Sequence, residues 1–230
     1  MDDKNLIKID TEKGLMEFLQ QPTVKIAEFL TGFLASDQKD WKLSAGKLVQ
    51  AAIKGKFLTQ LGREIKDYKN AGKIKEDYFA SNKNRASLSE LLKFIDEAPD
   101  EELFKAAKSI FLTSIAIDAK EKDEILAHEF LLTIKTLTST EILILKGNYA
   151  LAQKGAFLAN NSLNEWFRAI AQEIGYEDYT AMVEKYEENL MSLKLISGRI
   201  HSDRSGIAAT SYFRLTPMGN KFCEFIASYQ

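Results

Sequence analysis

One cysteine, three prolines and two histidines in 230 residues remove several classes of protein before any pattern is read. A lone thiol, Cys223, cannot close an internal disulfide, so the chain belongs with proteins that fold under reducing conditions. His128 and His201 lie far apart, and with one cysteine they give no ligand set for a structural zinc ion. The run His128-Glu129-Phe130-Leu131-Leu132 lacks the second histidine that a zinc-protease helix places at i+4. Neither histidine follows an arginine at the four-to-six-residue distance expected of a helical RNase. No glycine-rich phosphate loop and no Gly-x-Ser-x-Gly elbow occurs. No apolar run approaches the ~20 residues that span a bilayer. The chain opens Met-Asp-Asp-Lys with no apolar leader segment. The expectation is a cytoplasmic protein with no membrane contact, no cofactor and no metal. A formal net charge of −2 argues against a surface devoted wholly to neutralising phosphates.

The scarce prolines are informative in their places. Pro22, Pro99 and Pro217 each stand where a helix can start, the one part of a helix that tolerates the missing N–H. Helical periodicity is plentiful. Ile26, Phe29, Leu30, Phe33 and Leu34 form one apolar stripe, expected to be core, with a homodimer seam as the alternative. From Trp41, residues Val49, Ile53, Phe57, Leu61, Ile65 and Tyr68 recur mostly at i+4. Gly46, Gly55 and Gly62 interrupt that segment, and close helix packing and breaks between short helices both account for them. Ser87-Leu88-Ser89-Glu90 has the spacing of a capping box and predicts a helix start there. Asp100-Glu101-Glu102 puts negative charge at the positive end of the next helix. Further helices are predicted around Ile125 to Leu137, and from Ser139-Thr140-Glu141 through Tyr149.

The C-terminal ninety residues carry the most distinctive order. Ser162-Leu163-Asn164-Glu165 is a second capping box, heading Trp166, Phe167, Ile170 and Ile174. Gly175 falls where a left-handed C′ residue is expected, and a helix with Met182, Val183, Tyr186 and Leu190 follows. A loop at Asp203-Arg204-Ser205-Gly206, a β-prone run Ser211 to Leu215, and a last helix from Thr216-Pro217 complete the chain. Helix, short turn, helix, then strand, turn, strand is the order of a winged helix. The expected fold is therefore mainly α. A helical N-terminal domain (1–138) is followed by a winged-helix-like module with a small β-hairpin (139–230), the boundary falling between 120 and 160.

Charge bears on what such a module would hold. Residues 42–75 contain nine lysines and arginines against two acids, a local charge of +7, while 86–104 carry −5. Either the two segments neutralise one another as solvated faces, or the first is a basic face for nucleic acid or an anionic membrane surface. In a DNA reader the second helix of the pair enters the major groove and offers cations or amides. Here it offers Glu177, Asp178, Glu184, Glu187 and Glu188 against Lys185, which phosphates would repel. The balance favours protein contact. In the alternative, a DNA-binding regulator, the contacts would come from Lys194, Arg199, His201, Arg204 and Arg214 on the wing and from Lys47, Lys54, Arg63, Lys66 and Lys69 on the basic segment. Chemistry has thinner support still. Glu64-Ile65-Lys66 is the type of triplet found in metal-dependent nucleases but sits in a helical run. His128 and Cys223 read as packed helix residues.

Three stretches carry a resemblance: Leu61-Gly62-Arg63-Glu64-Ile65, Gly72 to Phe79, and Glu90 to Phe104. They resemble a widespread group of uncharacterised bacterial proteins. The layout from Ser139-Thr140-Glu141-Ile142 to Leu215-Thr216-Pro217-Met218-Gly219 is similar to that of Abi-alpha-type proteins associated with abortive infection. Together these cover about two-thirds of the chain. The resemblance implies a bacterial cytoplasmic protein connected with phage defence, and it brings no catalytic residues. The function expected is a non-enzymatic interaction or regulatory protein with a protein partner.

Overall fold

The computed structural model describes residues 41–97, 99–154, 163–178, 180–197, 201–203, 206–208 and 214–229. Among them are eight helices: α1 (Trp41–Asn70), α2 (Asn82–Asp96), α3 (Glu101–Ser114), α4 (Glu121–Ile134), α5 (Ser139–Gln153), α6 (Leu163–Glu173), α7 (Thr180–Ser192) and α8 (Pro217–Ala227). Two three-residue strands, β1 (His201–Asp203) and β2 (Gly206–Ala208), lie between α7 and α8 and pair antiparallel, His201 opposite Ala208. The chain is mainly helical, as expected. No described helix is long and apolar enough to cross a membrane. The stripe from Ile26 to Leu34 lies outside the described residues.

The described residues group into two discontinuous compact units. The first comprises the described residues up to Pro99 with Phe111–His128, and the second Asp100–Ile110 with those from Glu129 onward. The chain passes between them inside α3 and α4.

In the first unit α1 packs against α2. Phe57, Leu61 and Ile65 of α1 are buried, as are Leu88, Leu91, Phe94 and Ile95 of α2, and each such side chain contributes about 1.5–3 kcal/mol of apolar burial. Gly55 and Gly62 are buried within an unbroken α1, so they do not mark breaks between shorter helices. The helix ends at Gly72 (φ 65), where the Lys73 N–H reaches the Tyr68 carbonyl at 2.9 Å and the Gly72 N–H that of Lys69 at 3.0 Å. Two residues on, Ile74 forms an antiparallel bridge to Ala116.

The predicted start of α2 at Ser87 is corrected. The helix begins at Asn82, with Ser81 as its cap. The Ser81 hydroxyl accepts from the Asn84 N–H at 3.4 Å and donates to Glu124 Oε2 at 2.8 Å, while Lys75 Nζ meets Glu124 Oε1 at 3.0 Å. This tertiary anchor decides where the helix starts, and Ser87 becomes a fully buried interior residue.

The second unit follows the sequence signals more closely. Asp100 Oδ1 accepts from the N–H groups of Glu102 and Leu103, both at 3.0 Å, so the acids of that turn serve the helix end as expected. Thr138 and Glu141 form a reciprocal capping box on α5. Helix α5 packs on α6, α7 and α8, and α6 on α7. Phe130 sits edge-on to Phe222 and Phe225, with centroids at 5.0 and 5.3 Å. Helix α6 ends at Gly175 (φ 76), with the Tyr176 N–H on the Ala171 carbonyl at 2.7 Å.

Helix α7 ends with the same hydrogen-bond pattern but has Lys194 (φ 60) in the left-handed position: Leu195 N–H to Leu190 O and Lys194 N–H to Met191 O, both 3.0 Å. Ile196 then bridges Leu215, and the Ser197 N–H donates to the Arg214 carbonyl at 2.7 Å. Thr216 caps α8 through the Gly219 N–H at 2.9 Å and donates its hydroxyl proton to the Lys194 carbonyl at 2.6 Å. The first turn of α8 thereby lies against backbone: a Cβ on Gly219 would stand 1.8 Å from the Leu195 carbonyl oxygen.

Two stability measurements test this junction. Gly219→Ala is expected to destabilise the protein by roughly 3 kcal/mol or more in urea unfolding, since neither backbone can yield cheaply. Lys194→Gly is expected to stabilise it by roughly 1 kcal/mol by removing the cost of a left-handed side-chain-bearing residue. An unchanged midpoint for Gly219→Ala would reject the close approach.

Candidate functional site

The cations offered to nucleic acid by the sequence have scattered fates. On α1, Lys54 pairs with Asp96 at 3.1 Å, so one link of the basic-to-acidic neutralisation is made. Elsewhere the acidic segment is answered locally: Glu90 by Lys93, Glu101 and Glu102 by Lys105, and Glu102 also by Lys146 at 3.2 Å. Arg63 and Lys66 are exposed, and Lys69 is half-buried. Lys47 lies on α1 and His201 on β1, but their side chains fall outside the described residues, as do Arg199 and Arg204 altogether. Lys194 is exposed at the end of α7.

Arg214 is the correction. Expected on the wing as a phosphate contact, it is 2% exposed, and its guanidinium pairs through Nη1 with Glu187 Oε2, itself 1% exposed. Its Nε donates to the Ser197 carbonyl at 3.1 Å and its Nη2 lies 3.7 Å from the Met191 sulfur. The guanidinium carbon stands 5.1 Å from the Trp166 ring centroid and 5.9 Å from that of Phe167. Arg214 itself adopts φ 66, the strained left-handed region for a residue with a Cβ. This one side chain touches α6, α7 and the segment that follows α7.

Glu187 is likewise corrected, from a solvent-facing acid to the buried partner. Burial pushes its carboxyl above the ordinary range, the charge and hydrogen bond of Arg214 pull it down less strongly, and Glu184 adds to the rise. A raised value means that the contribution of this group is fully present below its ordinary value and lost as the pH climbs through the native one. The dominance of burial over the attraction of Arg214 is the desolvation cost expected of a buried ion pair. The second oxygen, Oε1, is buried with no hydrogen-bond partner among the described residues.

With Glu187 turned inward, α7 exposes Ala181, Glu184, Lys185, Glu188 and Ser192. Lys185 lies 5.4 Å from the Tyr186 ring. The one amide on the helix that could read a base, that of Asn189, is committed to Glu141 Oε1 at 2.7 Å. Exposed Tyr176, Glu177 and Asp178 precede the helix.

The residues weighed for chemistry fall into structural places. Glu64 is half-buried and accepts from Gln60 Nε2 at 2.9 Å, beside an exposed Lys66. His128 is half-buried on α4. Among the described residues no cluster of three acids, histidines or cysteines forms a metal site. Cys223 is buried, with its sulfur 3.7 Å from the Leu145 carbonyl, and burial drives its thiol pKa up to about 12.

No family model, no curated protein and no solved structure matches this chain.

Two experiments follow. Glu187→Leu or Arg214→Met alone leaves a buried charge uncompensated and is expected to cost about 3–5 kcal/mol in chemical denaturation. The double variant Glu187→Leu with Arg214→Met is expected to lose less than either single change; additive losses would show that the pair is not coupled. Cys223 is expected to resist a thiol reagent at pH 8 in the native state and react freely in urea. Its contribution to stability is present below pH 9.0, the ordinary value, and declines as the pH rises towards about 12. Rapid native labelling at pH 8 would contradict its burial.

Proposed function

We propose that this chain is a non-enzymatic bacterial interaction or regulatory protein, cytoplasmic and part of phage defence, that works through protein–protein contacts. Its C-terminal region is read as a winged-helix-like module. The order α5, α6, α7, β1, β2, with the tight turn at Gly175 between α6 and α7, supports that architecture. The observation that carries the functional reading is the outward face of α7. It presents Glu184 and Glu188 against Lys185, with Glu177 and Asp178 ahead of it. A recognition helix must approach phosphates, and this one would meet net Coulomb repulsion, with Lys185 its one exposed cation and no free amide to offset the acids. The burial of Arg214 removes a further cation from the region.

A DNA-binding regulator is the second reading, favoured by Arg63 and Lys66, which are exposed on α1 and form no ion pair among the described residues. Fluorescence anisotropy with a labelled duplex, titrated across salt, separates the two. The protein-contact reading expects weak binding with a shallow salt slope for the wild type. It also expects tighter binding on the charge reversal Glu184→Lys with Glu188→Lys. Tight wild-type binding is the opposing outcome, with a log–log slope of about −0.9 per phosphate contact and weakening on Arg199→Ala with Arg204→Ala.

A further inference from the structure

The surroundings of Arg214 form a seat with guanidinium chemistry. A buried carboxylate comes from Glu187, two aromatic rings from Trp166 and Phe167 at 5.1 and 5.9 Å, a carbonyl from Ser197 and a sulfur from Met191. A planar cation that donates in several directions and stacks on rings meets all of these at once, whereas a lysine ammonium would not.

Two features mark the present occupant as imperfect. Glu187 Oε1 is buried and unpartnered among the described residues, although a guanidinium can grip a carboxylate through both oxygens. The backbone of Arg214 is held at φ 66. Lys194 and Arg214 are the two non-glycine residues with positive φ among those described, and they flank the single Ile196–Leu215 bridge. Left-handed side-chain-bearing residues cost energy and persist only where the surrounding structure holds them, so parting of the bridge would release that strain.

We propose that this seat is a guanidinium-binding site, filled here by Arg214 and open to an arginine side chain of a protein partner when the Ile196–Leu215 bridge parts. The intramolecular occupant acts as a competitor. An incoming arginine free of the left-handed constraint reaches both Glu187 oxygens and displaces it. The identity of the occupant as a protein side chain rests on the protein-contact reading; the seat itself does not.

Chemical rescue tests the seat on the full chain. In Arg214→Ala, millimolar ethylguanidinium is expected to raise the unfolding temperature by roughly 3 °C above an equal concentration of ethylammonium. The difference should vanish in Arg214→Ala with Glu187→Ala. Equal responses to the two cations, or an undiminished response in the double variant, overturn the proposal. The wild type gives a second measurement that needs no variant to fold. Ethylguanidinium should speed hydrogen exchange of the Ser197 and Thr216 amides by about threefold relative to ethylammonium while leaving the α8 interior unchanged. Unaltered exchange there also overturns it. Failure of rescue leaves the protein-contact reading standing, because the duplex titration tests that reading separately.

Discussion

The second unit depends on one buried charge pair, Arg214 with Glu187. A guanidinium and a carboxylate withdrawn from water to 2% and 1% exposure cost more in lost hydration than their attraction returns unless geometry is favourable. What the pair supplies is position. Through one side chain, α6, α7 and the segment beginning at Ser197 are tied to a single point, just before the chain enters α8 at Thr216. Arg214 accepts a left-handed backbone to do this, and Lys194 accepts the same at the end of α7. Strain and desolvation are thus concentrated where the chain turns back, while the aromatic packing of Phe130, Phe222 and Phe225 supplies apolar burial.

This arrangement also decides which charges the protein shows. Removing Glu187 from the surface leaves α7 with two acids and one lysine outward, and removing Arg214 lowers the basicity of the segment after it. The outward face of α7 that remains carries more negative than positive charge. The first unit balances its charges differently. Its lysines spread around α1, one neutralised by Asp96, and Lys75 and Lys83 are drawn to the acids that open α4.

Local signals in the sequence were readable wherever local chemistry decides. The Ser139-Thr140-Glu141 start of α5 was legible, although its cap is Thr138, one residue earlier, and Gly175 ends α6 because a left-handed C′ position favours glycine. The helical class followed from periodicity. The misreadings share one cause. Ser87 looked like a cap until Ser81, held by Glu124 from across the unit, took that role. Arg214 and Glu187 looked like surface charges because nothing in the order of residues reveals that positions 27 apart face one another. Gly219 carried no signal either: the reason for glycine there is the backbone of Leu195, which arrives from another part of the chain.

That last contact bears on how kinship to this protein could be detected. A side chain is excluded at 219 by a neighbouring main-chain oxygen, and main-chain atoms stay put while the residues bearing them drift. The capping threonine and the glycine three residues on, Thr216 and Gly219, then form a landmark set by local geometry. Distant homologues could be aligned on it after their surfaces, and any binding preference written there, had diverged beyond recognition.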